Sequence, residues 1–252
     1  MNQTARATWA QCKSEMLRTA RNKRFVIFSV MMPIALFFIF TGTMNADATV
    51  DGTDWIPYYL MSMTAYGVIG ASLTSFAPRI AKERAQGWIR LLRITPLPSG
   101  SYVLSKIVAQ ALINLVIIVL VFSVAGLSKG IDLSAAVWVE SGLWIWLGGF
   151  AFMALATLVG SMRNADAVQV LSMILYLGMS VMGGLWVPTA TFPQIMQNIA
   201  KWLPTYRVGQ GAWNLVGGRA SRMGRLRNIG CLCARFRDNI VLYHEKAGSG
   251  VA

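Results

Sequence analysis

Five apolar stretches without a single lysine or arginine dominate this chain: Phe25 to Gly42, about Pro57 to Phe76, Ile107 to Leu127, about Val137 to Gly160 and about Val168 to Trp186. A bilayer core about 30 Å thick is crossed by roughly 20 mainly apolar residues in helical form, and each stretch approaches that length. Glu140 lies near one end of the fourth, where a water-facing position suits it. Buried helices of a soluble core tend to be shorter and need amphipathic companions to cover them. The stretches therefore read as membrane spans.

Composition agrees. Of 252 residues, 55% are hydrophobic and 13% charged, against about 25% charged in an ordinary soluble domain, and mean hydropathy is +0.52. This excludes a disordered chain, a collagen-like chain and, with three cysteines, a disulfide scaffold. It also argues against a water-soluble enzyme. The formal charge of +13 comes from 23 Lys and Arg against 10 Asp and Glu. In a soluble protein such an excess points to nucleic acid; in an apolar chain it points to cytoplasmic loops facing anionic lipid.

The order of the charges decides between them. Arg6, Lys13, Arg18, Arg21, Lys23 and Arg24 precede the first span against Glu15 alone, and the next connection holds Asp47, Asp51 and Asp54 with no base. The following one carries Arg79, Lys82, Arg84, Arg90, Arg93 and Lys106 against Glu83, and the one after it has only Lys129 and Asp132. Basic and non-basic connections alternate as the positive-inside rule requires. The N-terminus and the 77–106 loop are thus expected in the cytoplasm, with no nucleic-acid partner. Polar and basic residues ahead of the first span argue against a cleaved signal peptide. Within residues 1–24, Trp9, Cys12, Met16 and Ala20 recur at helical spacing among bases, as in an amphipathic helix lying in the membrane interface.

Residues 187–215, interrupted by Pro188, Pro193 and Pro204 and rich in Trp and Tyr, suit short helices at the outer interface. From 219 the character changes, with Arg219, Arg222, Arg225, Arg227, Arg235, Arg237 and Lys246 facing only Asp238 and Glu245. Five spans starting inside would place this basic segment outside, against the same rule. Back-translated from Arg222 and read one nucleotide on, one permitted choice of codons encodes an apolar run of spanning length, a basic end and a stop. A frameshift near Ala220 is therefore expected, so that residues 219–252 form an aberrant basic tail in place of a sixth span; the alternative is a natural basic extension that binds lipid headgroups.

Enzymatic constellations are missing. There is no GxxxxGK[ST] phosphate loop, so the usual route of nucleotide hydrolysis is closed to this chain. His244 is the single histidine, Cys231 and Cys233 lack zinc spacing, and Cys12 stands alone. Neither a catalytic triad nor a metal or cofactor site is expected. Glu83, the one acid of a strongly basic loop, is expected in an ion pair. Around it, Ile80 to Leu92 reads as an amphipathic helix stopped by Thr95-Pro96-Leu97-Pro98, presenting Ile80, Trp88, Leu91 and Leu92 among bases. Such a helix either rests on the membrane surface or fills a groove on a soluble partner. In the second span, Gly67, Gly70, Ala71 and Ser75 are small enough to allow close helix packing.

The segment KERAQGWIRLLRITPLP resembles the cytoplasmic signature of the membrane subunits of type-2 ABC exporters, roughly E-R-E-x-G-T-x-E-x-L followed by T-P-L. Glu83, Arg84, Gly87, Leu92, Thr95, Pro96 and Leu97 match it; Ala85, Trp88 and Arg90 depart from it. Asn164-Ala165-Asp166-Ala167 is similar to the family's N-x-x-A turn. Gly183-Gly184, Pro188, Pro193 and IAKWLP resemble its outer re-entrant helices. The resemblance implies an all-α integral membrane permease with six spans by design, set in a bacterial plasma membrane and touching membrane lipids. It further implies a second permease copy or a homologous one, and separate ATPase subunits that bind the ATP. Those subunits would push on Glu83, Arg84, Gly87, Trp88, Leu91, Leu92, Thr95, Pro96 and Leu97 to move a drug, lipid or polysaccharide-like cargo. A non-transporting membrane anchor using the same loop is the alternative. An ion-coupled transporter fits less well, since the spans offer almost no carboxylates beyond Glu140.

Overall fold

A computed structural model describes residues 13–18, 21–22, 25, 27–43, 49–50, 52–87 and 99–219. Helix α1 covers 13–18. Helix α2 covers 27–43, beginning as a π turn, Ile27–Met31, and continuing as Met32–Thr43. A two-residue hairpin follows, β1 (Thr49–Val50) antiparallel to β2 (Thr53–Asp54), pairing Thr49 with Asp54. Helix α3 runs without interruption over Trp55–Ala85, with a π segment at Ala71–Phe76. Then come α4 (Ser99–Lys129), α5 (Ala135–Gly160) and α6 (Ala165–Met182). A 3-10 turn at Thr189–Thr191 leads to α7 (Gln194–Ala200) and α8 (Pro204–Val216).

Among the described residues four helices, α3 to α6, are long and apolar enough to cross a membrane, and α2 is a shorter apolar helix. The second to fifth apolar stretches thus coincide with α3 to α6. The helices alternate in direction. Gly160, ending α5, lies against Ala77 and Ile80 near the end of α3, whereas Thr205 of α8 hydrogen-bonds the carbonyl of Met179 near the end of α6. One end of the bundle is therefore charged, around Arg79, Glu83 and Lys106, and the other aromatic, around Trp55, Tyr58, Trp186 and Trp213.

Helix α3 is the axis of the core. In its apolar window 94% of residues are buried, against 44% in α4, 50% in α5 and 22% in α6. Small residues let neighbours close on it. A methyl group added at Gly67 would sit 2.8 Å from the Ser29 carbonyl, and one at Gly70 would sit 2.8 Å from the Tyr176 hydroxyl. Ala71 and Ser75 are buried beside them. The packing expected at Gly67, Gly70, Ala71 and Ser75 is realised. Hydroxyls inside the apolar helices turn back on their own backbone: Ser62 to Tyr58, Thr64 to Leu60, Ser72 to Val68 and Thr157 to Met153. This satisfies a donor where no water is at hand.

Both π segments lie immediately ahead of a proline, Ile27–Met31 before Pro33 and Ala71–Phe76 before Pro78. Proline removes an N–H and crowds the carbonyl of the preceding turn, and a widened turn there accommodates both defects. Asn164 caps α6, its side chain accepting from Asp166 N at 2.9 Å and Ala167 N at 3.2 Å, which gives the N-x-x-A turn a physical reason. At the aromatic end the chain forms the short helices α7 and α8, and α8 is seated on α3 and α5. Trp144 Nε1 donates to Val208 O at 2.9 Å, Trp213 Nε1 donates to Ser62 Oγ at 2.9 Å, and the Trp213 ring stacks on Tyr58 at 4.6 Å.

Candidate functional site

Helix α3 is about 46 Å long at 1.5 Å per residue, more than the hydrocarbon thickness requires, so its last turns, Ala77–Ala85, extend past the apolar part of the bundle. This corrects one expectation. Residues 80–85 do not open a separate helix running to Leu92; they are the end of the second span. The helix stops well before Thr95-Pro96, in a turn at Gln86-Gly87, because Gly87 adopts φ +72°, a left-handed conformation that glycine alone adopts without cost. Lys82 and Arg84 in the last turn complement the negative end of the helix dipole. Trp88, Leu91, Leu92, Thr95, Pro96 and Leu97 lie outside the described residues, as do residues 1–12, which include Trp9 and Cys12, and residues 220–252.

Of the signature residues described, Arg84 is exposed and Gly87 half-buried, but Glu83 points inward at 4% exposure. It forms the ion pair expected of it. Lys106 Nζ is 2.7 Å from Glu83 Oε2, and Arg18 Nη1 is 3.6 Å from Glu83 Oε1. Lys106 also donates to Glu15 Oε1 at 3.1 Å, and Arg79 Nη1 approaches Glu15 Oε2 at 3.3 Å. The side chains of Glu15, Arg79, Glu83 and Lys106 are all within 11% exposure, while Arg18 is 64% exposed. Two acids thus meet two buried bases and one surface base. Bringing ions out of water is repaid only by close pairing and further hydrogen bonds. Arg79 Nη2 reaches Gln110 Oε1 at 3.5 Å and its guanidinium lies 5.9 Å from the Phe76 ring centroid. Gln110 Nε2 donates to Asn114 Oδ1 at 3.0 Å, carrying the polar thread a further turn into the bundle.

Sequence reasoning placed Arg79 and Lys106 in a solvent-facing loop and treated Glu15 only as a minority charge. The structure buries all three. Part of their signal was present: Glu15 and Glu83 are the lone acids of two basic segments. Glu15 is paired by Arg79 and Lys106 of the other segment, while Glu83 takes Lys106 from its own and Arg18 from the other. Met16, assigned to the apolar face of the first helix, is half-buried against the core.

A second concavity, a groove of about 460 Å³, lies at the aromatic end between α2, the hairpin and the 187–191 segment. Phe40, Trp55, Tyr59, Trp186 and Pro188 are among its walls. Tyr59 donates its hydroxyl hydrogen to the Trp186 carbonyl, fixing the segment to α3.

Continuous apolar helices, back-bonded hydroxyls, an aromatic end and a charged end define a polytopic helical membrane protein. The sequence matches the family described as "ABC-2 family transporter protein" over residues 43–236. It is 40% identical over 208 residues to the protein named "Putative transport permease YvfS" of Bacillus subtilis (strain 168), covering 82% of this chain and 84% of that protein. This chain belongs to the ABC-2 transporter family, as a membrane permease.

Proposed function

We propose that the chain is the membrane subunit of an ATP-driven exporter in the plasma membrane, its charged end cytoplasmic and its aromatic end outside. Separate ATPase subunits bind and hydrolyse the ATP. They dock on the 84–97 stretch, with Arg84, Gly87, Trp88, Leu91, Leu92, Thr95, Pro96 and Leu97 as the contact residues. A second permease copy or a homologous one completes the path. The observation that carries this reading is that both helices flanking that stretch, α3 and α4, are joined by a buried ion pair at their charged ends. A push on the stretch is then delivered to two spans together. Glu83 keeps a role one step removed, because its inward side chain serves the permease rather than the docking face. Conformational switching between inward- and outward-facing states follows from moving α3, the most buried helix, against its neighbours.

Co-purification tests the reading. An ATPase carrying GxxxxGK[ST] encoded beside this chain supports the exporter and its absence favours the anchor. Such an ATPase is expressed together with the full chain, as wild type and as Gly87→Pro or Leu92→Asp. Wild type is expected to retain the ATPase and both variants to lose most of it. Association undiminished in both variants removes the docking role, and an ATPase bound without any ATP-dependent transport favours a membrane anchor.

A further inference from the structure

We infer that the Glu83–Lys106 pair, braced by Glu15, is a mechanical tie that makes α3 and α4 respond to the docking loop as one body. The inference rests on the exporter reading and assigns positioning roles to residues outside the docking face. Glu83 stands in the last turns of α3 and Lys106 near the start of α4, so the pair closes the loop at its roots. Both side chains are 5% exposed and their charged atoms are 2.7 Å apart. Neighbouring Lys82 and Arg84 face outward, which separates the surface that receives a push from the pair that passes it on.

An apolar pair of similar size would hold two helices at least as well, since buried ions repay their desolvation only with good geometry. What the ions add is a directional link. Lys106 cannot slide along Glu83 or Glu15 without leaving a buried charge unmatched. The link also reaches inward. Arg79 and Gln110 join the same two helices one turn deeper, and Gln110 holds Asn114 a turn beyond that. On α5, Gly160 lies against the Ala77 carbonyl and Ile80 of α3. Motion of the loop is therefore passed to α3 and α4 together.

The test uses the full chain with its ATPase, in a background where Cys12, Cys231 and Cys233 are serine and exposed Ala190 is cysteine. The rate of Ala190→Cys labelling by a membrane-impermeant maleimide is measured with and without ATP. Wild type is expected to change rate on ATP binding. Glu83→Gln and Lys106→Gln should still bind the ATPase but lose the ATP-dependent change several-fold, whereas Glu83→Asp should keep it. Should the single variants fail to reach the membrane, Glu83→Gln with Lys106→Gln, an amide pair in the same place, carries the same expectation. A membrane-resident variant lacking the ion pair that responds like wild type overturns the tie and leaves the exporter reading intact. Failure of even the amide pair to reach the membrane also overturns it, by making the role one of folding alone. If wild type neither binds an ATPase nor responds to ATP, the exporter reading falls and the tie with it.

Discussion

At the scale of single residues, the same change, glycine to alanine, is expected to have opposite effects at different places in the bundle. At Gly67 the new methyl would stand 2.8 Å from the Ser29 carbonyl, and at Gly160 it would stand 2.8 Å from the Ala77 carbonyl and 3.0 Å from Ile80 Cβ. Backbone cannot step aside as a side-chain tip can, so each substitution should cost about 1–3 kcal/mol. At Gly178 nothing lies within 4 Å, and alanine there should gain up to about 1 kcal/mol of helix propensity. Melting temperatures of the purified protein in detergent should fall for Gly67→Ala and Gly160→Ala and hold or rise for Gly178→Ala. A similar contrast separates two lysines. Lys106→Met removes the base that Glu15 and Glu83 share and should cost about 3–5 kcal/mol, whereas Lys82→Met, on the exposed face, should stay within about 0.5 kcal/mol. Equal losses of stability for both lysine variants would refute the buried cluster. The contact at Gly67 was among those legible in the sequence, since small residues let helices approach closely, but the one at Gly160 was not, because a bare Gly178 reads the same way in an apolar run. The lysine contrast was not, because a list of charges gives their number in each segment and says nothing of two segments neutralising each other inside the protein.

At the scale of elements, four of the five apolar stretches coincide with helices long enough to span, because hydrocarbon length and the lack of internal charge are one-dimensional properties. The charged ends that carry α3 to Ala85 and start α4 at Ser99 gave no such signal, and the first stretch forms only the shorter α2. The loop was read less well. Periodic apolar residues from Ile80 to Leu92 suggested a free helix, yet the last turns of α3 claim the first part of it and Gly87 ends the run. The stop is written in the sequence as Lys82 and Arg84 followed by a glycine, the residues that favour a helix C-terminus; the proline pair beyond drew the boundary too far. Continuity through Pro78 was also hidden, since proline ordinarily ends a helix and only the π segment before it explains why this one goes on. The start of α6 makes a prediction of the same kind. Its two capping bonds come from a single side chain, so Asn164→Ala should destabilise the helix by about 0.5–2 kcal/mol, while Asn164→Asp should retain the cap. Limited proteolysis around 161–165 should speed up in the alanine variant and not in the aspartate one; unchanged cleavage in both would show that packing, rather than the cap, holds the turn.

At the scale of the whole molecule, α6 stands apart from the other helices. Asp166, Val170, Ile174, Gly178 and Val181 recur every three to four residues and are all exposed, and only 22% of its apolar window is buried. Exposed apolar residues on α4, such as Val116 and Val119, need no more than lipid. A stripe that includes a bare glycine is instead the kind of surface against which another helix packs closely. A frameshift near Ala220 would supply a candidate, since one permitted choice of codons read one nucleotide on encodes an apolar segment of spanning length that would return the chain to the cytoplasmic side and leave its basic end where the charge rule wants it. We propose that this segment is the sixth span and that it covers the α6 stripe. Restoring the frame by one nucleotide and placing a cysteine at Ile174 tests this directly, with a small membrane-permeant maleimide as the probe. Labelling should slow several-fold in the restored protein relative to the present one, and the restored protein should survive longer in mild detergent. Equal labelling in both would mean that the stripe faces lipid, and source codons that interrupt the shifted frame with stops or polar residues would end the proposal at the level of the gene.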